Sequence, residues 1–257
     1  METEIQYFVN KKSIVREIWG KSDTILFIFA GASAEFALNK AVDWLYFTGK
    51  LPADPIGRLF STVTYAREIV FSELSVANAA IDKITAIHTA VEKNRNAKIP
   101  DWAYRDVLFM LIHYSVASFE LLERKLSDQE KEDLYDVFRR MGERMNLKEL
   151  PAGYSEWLVI QKEHLDADLA KADLTVDLFK QYRKHLGAFR YWLLLESQKL
   201  VVPARVKELL EFNNSYLLKI ILKFYKLSRI IKMDSLIKTI VLPAKYKAEI
   251  QALDRSR

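Results

Sequence analysis

From Val107 to Phe119 the chain reads VLFMLIHYSVASF, with no glycine, proline or charge. A segment of that length and composition folds as a helix apolar on almost every face, and such helices sit at the centre of a domain. The apolar run extends to Leu122, but Asp106, Glu120, Glu123 and Arg124 crowd its ends, so it is too short and too polar to be read as a membrane span. Near its middle lies His113. An imidazole buried there must find a hydrogen-bond partner or bind something, because leaving it unpaired costs a few kcal/mol.

The rest of the chain supplies partners for such a helix. Seven glycines and six prolines in 257 residues leave few tight turns, and the segments between them carry helix signals. We therefore expect an all-α fold: a single compact multi-helix domain over residues 1–257, around a buried central helix. Half of the residues are apolar, enough to fill its core.

An amphipathic lead-in ends at Gly20, and Ser22 or Asp23 is placed to cap the next helix, which carries the small-residue patch Gly31 to Ala34. The segment GKLPADPIGR, Gly49 to Arg58, reads as a loop. Helices are expected over 59–70, 75–93 and 102–125. Ser127 and Glu130 have the spacing of a capping box for a helix over 128–145, and two further helices are expected over 154–172 and 176–200. His88 falls among Ile84, Ile87 and Val91, on the inner side of its helix. His164 and His185 stand among charged neighbours and read as surface residues.

Much chemistry is excluded. There is no cysteine, hence no disulfide, thiolate ligand or cysteine nucleophile. There is no HExxH, no Glu-x-x-His for a carboxylate-bridged di-iron bundle, no G-x-S-x-G elbow and no glycine-rich phosphate loop. Four histidines make a many-ligand metal cage improbable. A site needing one strong ligand in an apolar helical pocket remains open, and haem meets that description, since it brings four nitrogens and asks for one axial imidazole.

The section from about 203 to 257 differs in character: residues 199–247 hold eleven Lys or Arg against three Asp or Glu, interleaved with large apolar residues. Such a pattern suits an amphipathic helix at a membrane surface, or one whose lysine stems cover its own core. No nucleic-acid motif accompanies the modest net charge of +5, so nucleic acid is not an expected partner. The start, METEIQYFVNKK, lacks the basic-then-apolar order of a secretory signal, and a cytoplasmic protein, peripheral to a membrane at most, is expected.

Several segments together resemble the haem-dependent oxygenases named after MpaB and rubber oxygenase, the latex clearing protein. They are ADPIGRLF (Ala53 to Phe60), KITAIHTAV (Lys83 to Val91), LFMLIHYSVASFELLERKLSDQEKEDLYDVFRRMGE (Leu108 to Glu143) and the turns LVVP and TIVLP at Pro203 and Pro243. Each is made of common residues; their order and spacing carry the resemblance.

The resemblance implies an all-α domain around haem b, with His113 matching the proximal iron ligand and the opposite face open to O2. Ser115 keeps the hydroxyl of the family's His-x-Thr pattern. His88 matches the second family histidine and is the first candidate for a catalytic role, with Thr89 and Lys83 beside it. Arg58 or Arg67 would hold a propionate, although Arg58 could equally pair with Asp54. Phe109, Met110, Val116 and Ala117 share a helical side with His113 and would line the proximal face of a flat ligand. Ala86 stands where the family commonly has arginine, which argues against rubber cleavage. The expected substrate is an apolar organic molecule. The competing expectation is a non-catalytic helical protein, associated with a membrane surface, in which His113 is a core residue.

Overall fold

The computed structural model describes residues 5–213 together with Leu222 and Tyr225. Apart from those two positions, the basic section from residue 214 onward lies outside the described residues. Among the described residues there are eleven helices and no strand: α1 (Ile14–Trp19), α2 (Ser22–Leu38), α3 (Asp43–Phe47), α4 (Lys50–Ala53), α5 (Pro55–Phe71), α6 (Leu74–Arg95), α7 (Asp101–Leu122), α8 (Asp128–Arg144), α9 (Tyr154–Ala167), α10 (Asp173–Val201) and α11 (Ala204–Leu209). The all-α, single-domain expectation holds.

Local chemistry accounts for most boundaries. Ser127 accepts from the Glu130 amide at 3.3 Å while Glu130 accepts from the Ser127 amide at 2.8 Å, the reciprocal capping box read from the sequence. Asp54 caps α5 by accepting from the Gly57 amide at 3.0 Å, and Pro55 occupies the first helical turn, where its missing N–H costs nothing. The segment expected to be a loop therefore also holds α4 and the start of α5. Helix α2 begins at Ser22 with no side-chain cap, so neither Ser22 nor Asp23 plays the capping part.

Helix α7 is central, as its composition demands: thirteen of its residues, from Ala103 to Leu122, are buried. Helix α2 packs along it, brought close by Gly31, whose missing side chain leaves room for the Tyr114 ring. Helix α10 lies against α2 and also packs on α5, which pairs with α6. The main core gathers Trp19, Trp157, Tyr114, Tyr135, Phe109 and Phe119, all essentially inaccessible to solvent. A smaller core of Ala37, Val42, Leu51, Leu178 and Tyr182 joins α2, α4 and α10.

One break matters for the interior. At Gly187 the backbone of α10 turns to φ 74°, ψ 167°, so the helix is kinked there. No described helix is long and apolar enough to cross a membrane.

Candidate functional site

Between α2, α5, α6, α7 and α10 the packing leaves a cavity of about 670 Å³, within the size range of small-molecule and cofactor sites. Phe29, Leu59, Ile69, Leu108, Leu111 and Leu194 typify its walls, which are overwhelmingly apolar. The kink at Gly187 separates two runs of α10 that both border it, Tyr182 with Leu186 before and Arg190 with Leu193 after.

His88 borders this cavity from α6. Its ring lies 5.1 Å from that of Tyr104, whose hydroxyl donates to Glu92 at 3.3 Å, so the imidazole rests against an anchored neighbour. Burial, with the Arg58 cation adding to it, lowers its pKa to about 4. The ring is therefore neutral at pH 7, and its Nδ1 is shielded and without a partner. It can accept a proton or a hydrogen bond from a ligand.

Arg58 borders the cavity from α5. Its Nη1 donates to Thr62 Oγ1 at 2.7 Å and Ser61 Oγ at 3.2 Å, both on its own helix. Asp54 accepts from the Gly57 amide at 3.0 Å and so caps the helix that carries Arg58. Burial pulls the Arg58 pKa down from its ordinary value.

His113 is placed differently. It is partly buried on α7, and burial lowers its pKa to about 4, with the Val201 backbone at the end of α10 opposing that fall. Its Nε2 is shielded and unpartnered, and in the Nδ1-protonated tautomer of the neutral ring it presents a lone pair. His113 is nevertheless absent from the residues that border the cavity.

The other sequence candidates divide. Met110 borders the cavity. Phe109 faces away from it, ring to ring with Trp157 at 6.2 Å and His164 at 5.4 Å. Val116 and Ala117 pack into the core off the cavity. Arg67 donates to the Trp19 carbonyl at 3.0 Å and lies over Phe71. Lys83 is exposed, over the Tyr65 ring, and Thr89 is exposed and bonded back to the Thr85 carbonyl.

A second constellation escaped the sequence reading. His164, expected at the surface, is mostly buried, its Nδ1 lying 2.8 Å from Asp106 Oδ1 and 2.7 Å from Asp168 Oδ2. Asp106 is buried and its other oxygen accepts from Asn39 at 2.6 Å. These three ligand-type groups lie close enough to hold a metal ion. The hydrogen bond to Asp106 leads in raising the pKa of His164, whereas burial raises that of Asp106. The helical wheel hid this, because Asp106 lies on α7 while His164 and its C-cap neighbour Asp168 belong to α9.

The model of the family described as ER-bound oxygenase mpaB/B'/Rubber oxygenase, catalytic domain, matches residues 19–219. The chain belongs to this family. The match takes in everything from α2 to α11, and the family is of oxygenase type, which supports an oxidoreductase. Searches of curated proteins and of solved structures return no match.

The residues present fit a haem in several respects. There is an apolar space large enough to take one, a bare imidazole nitrogen at His113, and cationic Arg58, Lys50 and Arg190 at the cavity wall for propionates. One relation is not in place: the His113 ring is not at the wall.

Proposed function

We propose that this member of the family is a haem b-dependent oxygenase that admits O2 and an apolar organic substrate to the cavity between α5, α6, α7 and α10. The observation that carries the reading is the shielded, unpartnered Nε2 of His113, on a ring that burial keeps neutral. His113 would hold the iron, and Arg58 a propionate. Haem, when bound, supplies the iron at which O2 reacts. The chain's own residues do the rest. The apolar walls exclude water and hold the substrate, and neutral His88 can accept a proton or a hydrogen bond at its shielded Nδ1. Lys83 and Thr89 are exposed on α6 and do not border the cavity, so the reading leans on His88.

The absorption spectrum of the pure protein, oxidised, reduced and with carbon monoxide, tests this. A Soret band that His113→Ala abolishes and His88→Ala keeps is the expected result. Loss in His88→Ala alone would move the iron ligand to the cavity-wall histidine. A folded, colourless protein that takes up no added haemin would overturn the reading.

That last result is what the second reading expects. In it His113 is a core histidine, as its absence from the cavity wall favours. For either reading we also propose a cytoplasmic protein that touches membranes through its basic C-terminal section. Liposome co-sedimentation unchanged by deleting residues 214–257 would count against the membrane contact.

A further inference from the structure

The charge of the cavity wall is one-sided. Lys50, Arg58 and Arg190 border it, and among the described residues no aspartate or glutamate does. A cation taken partly out of water without a counter-ion is costly, and proteins ordinarily pair it. Among the described residues Arg58 has no carboxylate partner: its side chain donates to two neutral hydroxyls, both reached through Nη1. Those hydroxyls fix the guanidinium plane, while Nε and Nη2, the edge that matches the two oxygens of a carboxylate, make no bond within the described residues. Beside it, His88 is neutral and adds no competing charge, and its Nδ1 is bare.

The geometry points to an amphiphilic carboxylate as the cavity's ligand, its acid head bidentate on the free edge of Arg58 and its apolar body along walls such as Leu59, Ile69 and Leu111. This deepens the proposed function and rests on the cavity being its ligand site. The carboxylate can belong to a long-chain organic acid or to a haem propionate; the recognition chemistry is shared, and the arms of the test separate the two.

The test uses the full chain, freed of any haem and checked by its spectrum. Calorimetric titration with dodecanoate and with dodecan-1-ol, both below micelle formation, compares one apolar body with and without the charge. The acid should bind about tenfold tighter or better, and Arg58→Met should erase the difference while leaving the alcohol unchanged. Arg58→Lys, which keeps charge and loses the fork, should fall between them. A second arm compares haemin with its dimethyl ester. If Arg58→Met weakens haemin alone, and dodecanoate does not bind, the carboxylate belongs to the cofactor and the assignment of Arg58 stands. Equal binding of acid and alcohol, together with equal binding of haemin and its ester, overturns the proposal, and that comparison needs only the wild-type protein. The oxygenase reading fails separately, on the absence of a Soret band after haemin addition, whatever dodecanoate does.

Discussion

The Tyr114 ring occupies the space beside Gly31 so closely that a β-carbon there would lie 2.2 Å from two of its atoms. Tyr114 is completely buried and its hydroxyl donates to Glu35 at 2.7 Å, so the ring cannot move aside without breaking that bond. Gly31→Ala should therefore cost about 3 kcal/mol, the upper part of the overpacking range. Urea unfolding measures it. A midpoint equal to wild type would mean that α2 and α7 are farther apart than described.

The same pair sets a pH dependence. Burial pushes the Glu35 carboxyl up to about 7 in the folded protein, against 4.5 ordinarily. Between those values the unfolded chain ionises and the folded one stays protonated. The contribution of Glu35 is thus fully present below pH 4.5 and lost as pH rises through 7. Glu35→Gln, a neutral mimic, should remove this loss, so that wild type weakens relative to the variant by roughly 3 kcal/mol between pH 4 and 8. Parallel stability curves would show that Glu35 is ionised throughout.

His113 works in the opposite direction. Its pKa falls from 6.5 to about 4 on folding, so the stability it contributes is present above 6.5 and lost as pH drops toward 4. In haem-free protein, His113→Gln should flatten the acid side of the curve by roughly 3 kcal/mol. NMR titration of the ring gives an independent check: a pKa near 6.5 would mean the imidazole is solvated and Nε2 is not sheltered.

What the sequence revealed, and what it hid, follows from how many helices share each feature. The burial of α7 was legible because one helix's composition decides it, and the Ser127–Glu130 box because four consecutive residues make it. The cavity is built by five helices, and no local pattern says that Arg58 and His88 face the same space while Phe109, one turn before His113, turns toward Trp157. His164 was misread for a related reason: its own helix is charged, and its buried partner Asp106 lies on α7.

That pairing is itself testable. Asp106 is buried, with Asn39 and His164 as its neighbours. His164→Ala removes one and leaves a carboxylate with inadequate compensation, at a cost on the order of 3 kcal/mol. Because folding raises the His164 pKa, its contribution is complete below pH 6.5 and declines as pH rises through the folded value. The destabilisation caused by His164→Ala should accordingly be largest at pH 6 and smaller at pH 9. A penalty that grows with pH would contradict a protonated imidazole between Asp106 and Asp168.

Gly187 offers a case in which backbone strain alone decides. Nothing lies within 4 Å of a β-carbon placed there, so an added methyl meets no neighbour. The penalty comes from φ 74° with ψ 167°, a region essentially closed to residues with a β-carbon. Gly187→Ala should cost about 1–3 kcal/mol, whereas Ala188→Gly beside it, which only adds freedom to the chain, should cost about 1 kcal/mol or less. The kink also sets how Leu186 and Arg190 approach the cavity, so relaxing α10 toward a continuous helix changes the space between them. Gly187→Ala should therefore lower ligand affinity as well as melting temperature, and Ala188→Gly should leave affinity unchanged. If both substitutions act alike on stability, the turn at Gly187 is not the conformation the folded chain keeps.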